Sequence, residues 1–445
     1  MGVETRTGGR EATSGVIGGG TALAVGNPGT PAPEGFDWTE LLSVARLETG
    51  HTPSRRRPEY WGGDVPWIGI KDATANYGRT IDSTNQTVTD EGIANSSARV
   101  LPAGTVCLSR TASVGYVVVM GIPMATSQDF VNWVCGPNLD HRYLKYVLQL
   151  ERDTLLRFAS GTTHQTIYFP EAKAFHILLP GIEQQRAIAG VMGALDDKIE
   201  SNRRLRETAD DLLITIFAAS LTQDGRPWEC SWPTANLGDH LEVLETGRRP
   251  PGGVRGVTSG VPSIGAESIT RAGEFDYSKL KLVPTDFFDS MKRGQLEDRD
   301  VLLYKDGGTP GNFEPHVSMV GQGFPFVTAA INEHVYRLRI RSPYSQDFLY
   351  AWLSAPGTMD EMRRRGTGVA IPSLNSANLR TMPFPLPDTA RLLAAQAEAE
   401  PVMTALLQSA TESRTLAELR DALLPELLSG RMRVPAAEDL VKAAT

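Results

Sequence analysis

The chain has 445 residues, enough for two to four ordinary domains, with 41% hydrophobic and 22% charged residues, as in a globular protein. A net charge of −8 argues against a surface that binds polyanions everywhere, and leaves room for a local basic face. No run of about 18 apolar residues occurs, so no membrane span and a cytoplasmic location are expected.

Cys107, Cys135 and Cys230 lie far apart, with no C-x-x-C and no His/Cys cluster at ligand spacing. Reduced thiols, no metal and no cofactor are the expectation.

Residues 1–35 are rich in Gly, Thr, Ala and Pro without periodicity and are expected to form a disordered tail. They lack the basic start and continuous apolar stretch of a secretory signal. A first globular block follows over 36–180. Its β-like runs are VPWIGI (65–70), TVCLSR (105–110), YVVVMG (116–121) and FVNWVC (130–135). A helical stretch (139–159), the polar loop SGTTHQTI and a last strand, AFHILLP, complete a mixed α+β pattern.

Residues 181–221 then read as one long helix. Apolar residues recur at Ile188, Val191, Leu195, Ile199, Leu205, Leu212, Ile216 and Ala219, the spacing of one helical face. A helix of about 40 residues runs roughly 60 Å, and with so narrow a stripe it calls for a partner helix. Asn202 falls near that seam and either sets the helix register or faces solvent.

After a linker (222–235), a second block (236–387) repeats the order of the first, and a second long helix (388–430) and a loose end (431–445) follow. The second helix carries Leu392, Leu393, Val402, Met403, Leu406, Leu416, Leu419, Leu423 and Leu427, with Pro401 expected to kink or restart it. LETG at 47–50 recurs at 244–247, and PWIGIKDAT at 66–74 recurs as PSIGAESIT at 262–270. GTVCLSR (104–110) corresponds to RDVLLYK (299–305), FVNWV (130–134) to INEHVYRL (331–338), YLKYVLQ (143–149) to FLYAWLS (348–354), and ASGTTHQTI (159–167) to RRGTGVAIPS (364–373). Order is kept at an offset of roughly 200 residues, which an internal duplication explains better than two unrelated core helices do. The expected fold is α+β: two similar domains separated by two long helices packed as an antiparallel coiled coil, with a pseudo-two-fold repeat. Two different globules on such a spacer suit a ligand with two separated sites, of which duplex DNA is the obvious one.

This layout resembles the specificity subunit of type I restriction–modification systems over about residues 36–430. The resemblance rests on LETGHTPS with PEYWGGDVPWIGIKD, on VCLSRTASVGYVVV, and on SGTTHQTI leading into ILLPGIEQQRAIAGVMGALDDKIE. The second copy departs more: DTARLLAAQA replaces GIEQQRAI, and Lys305-Asp306-Gly307-Gly308 replaces Arg110-Thr111-Ala112-Ser113. The resemblance implies two target-recognition domains, each reading half of a bipartite, non-palindromic DNA site. It also implies helices that set the spacing and seat two methyltransferase subunits, a motor-nuclease subunit joining for cleavage, and no catalytic residues in this chain.

The residues agree as far as they go. There is no G-x-x-x-x-G-K-[ST] phosphate loop, no Asn/Asp-Pro-Pro-aromatic segment, and the seven histidines are scattered. Base reading needs Arg, Lys, Asn, Gln, Ser or Thr on a rigid scaffold. The DNA-facing candidates are Lys71, Asp72, Arg110, Thr111, Gln128, Gly161, Thr162, Thr163 and Gln165 in the first block. In the second they are Lys305, Asp306, Arg364, Arg365 and Thr367. Arg55-Arg56-Arg57 offers phosphate contacts. Each residue alone reads equally well as an ordinary polar loop or solvated charge; the group points to DNA. Glu183, Gln184, Gln185 and Arg186 open the first long helix and either cap it or face a partner subunit, with Glu183, Gln184 and Arg186 the candidate partner contacts. A stand-alone nuclease and a protein-binding scaffold are the other classes the sequence leaves open.

Overall fold

A computed structural model describes residues 11–159, 165–221, 233–368 and 372–444. The chain divides into two compact units, Met1–Asp196 with Leu416–Thr445, and Asp197–Thr415. Each division point falls inside a long helix, so each unit combines one globule with part of both helices.

In the first unit the runs of β-branched and aromatic residues form the expected strands. Ala45–Thr49, Phe130–Cys135, Val106–Ser109 and Val117–Met120 lie side by side in an antiparallel sheet, with Thr80–Ile81 added in parallel at one edge. A smaller sheet sets Trp61–Ile68 between Gln86–Val88 and Ala125–Thr126. Phe175–Pro180, the strand before the long helix, pairs with Phe36–Glu40. The stretch expected to be helical over 139–159 forms two helices, His141–Leu150 and Arg152–Phe158.

The second unit repeats this plan. Leu241–Thr246, Val335–Ile340, Val301–Tyr304 and Val317–Met319 form the matching antiparallel sheet. Val261–Ile264 sits between Lys281–Val283 and Ala330–Ile331 in the smaller one. Register repeats as well as order. In the small sheets Trp67 and Ile68 face Ala125 and Thr126 in parallel, while Ser263 and Ile264 face Ala330 and Ile331. In the large sheets Thr49 opposes Val131, and Thr246 opposes Tyr336. A one-residue slip would turn every side chain to the opposite face, so two copies with one register are strong support for duplication.

The long helices are Ile182–Leu221 and Thr389–Leu428, each of 40 residues. Within each unit they run antiparallel. In the second unit Lys198 and Asn202 meet Glu412, and further along Arg206 meets Ser409 and Ser413. In the first, Asp196 meets Arg420. Buried positions on the first helix, with half-buried Ile199 among them, follow alternating steps of three and four: Met192, Leu195, Ile199, Asn202, Arg206, Ala209, Leu213 and Ile216. That is a heptad seam. Leu205 and Leu212, expected on the stripe, lie outside it and are exposed by 43% and 44%. Their apolar character misled the phase, because the true seam carries polar Asn202 and Arg206 one step along. On the second helix Leu393 is likewise exposed.

Three further expectations change. Pro401 does not interrupt the second helix. It is exposed, as is Ala397 one turn earlier, so the missing backbone bond falls on the outer face. The N-terminal stretch is no loose tail over its described part: Leu23–Val25 is a buried strand paired with Phe175–Ile177. The Ala22 amide there donates to the buried Glu151 carboxylate. So short an apolar run carries no readable period. The C-terminal stretch contains a helix, Val434–Ala444. Among the described residues no helix is long and apolar enough to cross a membrane, and Cys107 and Cys135 are free thiols.

The seam makes a direct prediction. Leu213→Ala removes a fully buried side chain and should destabilise by about 2–5 kcal/mol, whereas Leu212→Ala should change stability by less than about 1 kcal/mol. Urea unfolding of both variants checks this; equal losses would contradict the assigned phase.

Candidate nucleic-acid interface

In both units the loops that end the central strands are tied together by backbone hydrogen bonds. In the first, the Arg110 amide donates to the Asp129 carbonyl, and the Ile167 amide donates to the Arg110 carbonyl, at 2.7 and 2.9 Å. In the second, the Lys305 amide donates to the His334 carbonyl and the Leu374 amide to the Lys305 carbonyl, each at 2.9 Å. The repeated LETG glycines close this cluster. A methyl group on Gly50 would lie 1.9 Å from the Ser127 carbonyl oxygen, and one on Gly247 would lie 1.6 Å from that of Ile331. Only glycine permits so close a backbone approach. Three loops in each unit are thus held at one end of the central sheet.

The side chains on this shared frame differ. In the first unit the Thr111 hydroxyl donates to Asp129 Oδ1 at 2.6 Å, and the Ser127 hydroxyl donates to Asp129 Oδ2 at 3.0 Å. The Arg110 guanidinium lies over the Phe169 ring, 4.7 Å from its centre. Burial pushes its pKa down, yet a guanidinium stays charged at neutral pH. In the second unit Asp306 takes the place of Thr111. Its Oδ2 lies 2.8 Å from His334 Nδ1 and 3.3 Å from Lys305 Nζ. Lys305 and Asp306 are therefore engaged with each other and with a histidine that the sequence did not single out.

Beside the cluster in the first unit runs the segment His51–Arg57. Trp67 Nε1 donates to the His51 carbonyl and Trp61 Nε1 to that of Ser54, at 3.1 and 3.4 Å. The two indoles pack edge-to-face at 5.1 Å. The Arg55 guanidinium lies 3.6 Å from the Trp61 ring centre, and its Nη2 donates to Gln86 Oε1 at 2.8 Å. Gln128, exposed on the next loop, accepts from the Thr52 hydroxyl. His51, Thr52 and Ser54 also line a polar surface recess of about 590 Å³ with Asn95 and Ser96. Arg57 is drawn toward Glu59 at 3.4 Å.

The other expected residues fall into different places. Lys71 is exposed at the start of a short helix, Ile70–Ala75. Asp72 is a correction: it is 4% exposed, accepting from the Gly69 amide at 2.9 Å and from the Asn85 amide and side chain at 2.8 and 2.7 Å. Its carboxylate closes a capping turn, is buried, and spends its acceptors inside the fold. Gln165 is exposed. Gly161, Thr162 and Thr163 lie outside the described residues. Arg364 and Arg365 both bind Glu361, and Arg365 also donates to the Asn378 carbonyl. Those hydrogen bonds hold the Glu361 carboxyl below its usual range. The triple arginine is thus largely neutralised by its own helix. Thr367 is exposed and exchanges backbone hydrogen bonds with Ser373. At the helix start Glu183 and Arg186 form an exposed ion pair of 2.7 Å. Gln184 is half-buried. Gln185, which the sequence left among possible caps, is fully buried. It donates to the Asn138 and Pro180 carbonyls and accepts from the Asp140 amide, anchoring the helix to its globule.

Residues 33–209 match the family described as Type I restriction modification DNA specificity domain. The chain is 24% identical over 425 residues to the MjaIX type I restriction enzyme specificity subunit of Methanocaldococcus jannaschii, covering 90% of this chain and 94% of that one. It is 26% identical over 168 residues to the EcoR124I/EcoR124II specificity subunit of Escherichia coli, 36% of this chain and 41% of that one. A crystal structure of the type I restriction–modification S subunit from M. genitalium shares the fold, with a TM-score of 0.53, 16% identity and coverage of 89% of this chain and 98% of that one.

The reassignment of Asp72 is testable. Asp72→Ala leaves several buried donors without an acceptor and should destabilise by about 2–4 kcal/mol in urea unfolding. A variant of unchanged stability would return Asp72 to the list of candidate ligand contacts.

Proposed function

We propose that this chain is the DNA-specificity subunit of a type I restriction–modification complex. The observation that carries the reading is that similarity to a specificity subunit runs through both copies of the duplicated plan. Each unit presents one loop cluster on a rigid sheet, and the two clusters share a backbone frame while differing in side chains. That is the arrangement needed to read two unlike half-sites. Lys71, Arg110, Thr111, Gln128 and Gln165 are assigned to the candidate reading surface of the first unit, with Gly161, Thr162 and Thr163 as further candidate contacts from the sequence. Lys305, Asp306 and Thr367 form that of the second, with Arg364 and Arg365 flanking.

The chain itself is non-catalytic in this reading, and chemistry comes from partner subunits: two methyltransferase subunits and, for cleavage, motor-nuclease subunits. Glu183, Gln184 and Arg186 are candidate partner contacts. A second one lies on the helix pair of the second unit. There Leu205, Leu212, Val402 and Ala405 line an open apolar groove of about 600 Å³, with Pro401 at its side. Exposed leucines on a coiled coil are an unfavourable arrangement unless something covers them, and a methyltransferase subunit is the proposed cover.

Co-expression with the cognate methyltransferase subunit in a methylation-free host, followed by sequencing of modified bases, tests the function. A non-palindromic motif split by a fixed gap, lost when this chain is omitted, is expected. Methylation indifferent to the chain would sink the reading. Leu205→Asp with Leu212→Asp should abolish co-purification of the methyltransferase while unfolding by urea stays near wild type, since neither side chain is in the core.

A further inference from the structure

We propose that Arg55 reads guanine in the half-site served by the first unit. The proposal rests on the DNA-specificity reading above. It goes beyond it by assigning one base-contacting side chain and the base it recognises.

Three consecutive arginines stand at 55–57, and the local chemistry treats them differently. Arg57 is partly neutralised by Glu59, and Arg56 is simply exposed. Arg55 is held by uncharged groups: the Trp61 ring at 3.6 Å, the Trp67 ring at 5.1 Å and the Gln86 side-chain oxygen at 2.8 Å. Its position is thus fixed by groups that carry no opposing charge. Stacking occupies the guanidinium face and leaves the N–H edge for hydrogen bonds. Gln86 takes one of these through Nη2, and the remaining N–H groups have no partner among the described residues.

That combination separates base reading from phosphate binding. A phosphate contact needs charge, and a mobile arginine or lysine supplies it. A planar, immobilised guanidinium matches the paired acceptors O6 and N7 of guanine in the major groove, and its lost side-chain entropy has already been taken up by folding. The tryptophans that lock it are themselves fixed. Trp67 is buried, both indoles donate to backbone carbonyls of the His51–Arg57 segment, and Gln86 sits on the strand paired with Trp67. Thr52 and the exposed Gln128, joined by a hydrogen bond, stand on the adjoining loops. Among the described residues the second unit has no equivalent cage: Gly252 stands where Arg55 does after LETG, Arg249 pairs with Glu333 at 2.8 Å, and Arg248 lies 5.2 Å from the Phe287 ring. One half-site alone should depend on this device.

The test compares wild-type, Arg55→Lys, Arg55→Ala and Trp61→Leu chains, each co-expressed with the methyltransferase subunit and read out as a methylation map. Both Arg55 variants should relax discrimination at one guanine of one half-site by roughly 5- to 150-fold, the range for losing one bidentate base contact. Trp61→Leu, which keeps the arginine and removes its platform, should relax the same guanine. The other half of the motif, unchanged in the same reads, reports that the protein is folded and assembled. Full recovery of the motif by Arg55→Lys, with Arg55→Ala lowering methylation evenly at all sites, would make Arg55 a phosphate contact and overturn the proposal. Relaxation at a base other than guanine would overturn it too. A wild-type map without a bipartite motif would instead remove the DNA-specificity reading on which it stands.

Discussion

Everything at the candidate interface depends on a handful of backbone hydrogen bonds that tie three loops to the end of one sheet. In one unit they join Arg110, Asp129 and Ile167; in the other they join Lys305, His334 and Leu374. Backbone groups are the same for every residue type other than proline, so this frame survives almost any change of side chain. The exceptions are Gly50 and Gly247, where a carbonyl from the neighbouring loop occupies the space of a β-carbon. This is why LETG is among the best-preserved matches between two copies that differ in most side chains. The constraint shared by the two copies thus sits in the main chain, and the chemistry that differs between them sits on the side chains.

The helix seam follows a different logic. Its buried positions are mostly apolar, but Asn202 donates to Glu412, and Arg206 donates to Ser413 and to the Ser409 carbonyl. Burial lowers the Arg206 pKa from its usual value, so the seam holds a charge at some expense of stability. Polar pairs at seam positions reward one register over its neighbours, since a slip of one heptad leaves them unsatisfied. The globule of the second unit is joined to the same seam. Tyr350 donates to Asp210 on the first long helix and accepts from the Ala272 amide. Gly273 beside it lies against Arg206, Leu406 and Ala410, where a β-carbon would come within 2.8 Å of the Ala410 methyl. The register of the helices and the seating of the globule against them are thus set by the same contacts within that unit.

Much of this was legible from the residues. Strand runs such as FVNWVC fell where expected, the order of elements repeated, and the long helices carried an obvious period. What was hidden was polarity in unexpected places. The phase of the first helix was misread because Leu205 and Leu212 are exposed while Asn202 and Arg206 are buried. Asp72 looked like a surface reader because nothing in a sequence shows that Asn85 and Gly69 converge on its carboxylate. The strand at Leu23–Val25 is too short to have a period, and its partner lies about 150 residues away. Arg364 and Arg365 looked like a basic patch because the pairing with Glu361 depends on a helix continuing through them. Arg55 shows the reverse: a sequence reader sees one of three equivalent arginines, and only the fold brings Trp61 and Gln86 to it.

The same distinction bears on how an acidic chain can recognise a polyanion. With a net charge of −8, the chain as a whole is repelled by DNA, and many of its arginines are bound to its own carboxylates. Arg46 and Arg99 share Glu48, Arg337 and Arg339 share Asp300, and Arg203 is held by Glu200 and Glu207. These pairs organise the fold and contribute little free positive charge. Phosphate affinity scales with the number of cations that displace counterions, so a chain arranged this way is poorly suited to supply the bulk of it. Base contacts, by contrast, need few residues held in fixed orientation. On the proposed reading, affinity for the phosphate backbone would come mostly from partner subunits, and this chain would contribute orientation and sequence preference. In that reading the overall acidity is an advantage, because a DNA reader that bound every sequence tightly by itself would select none of them.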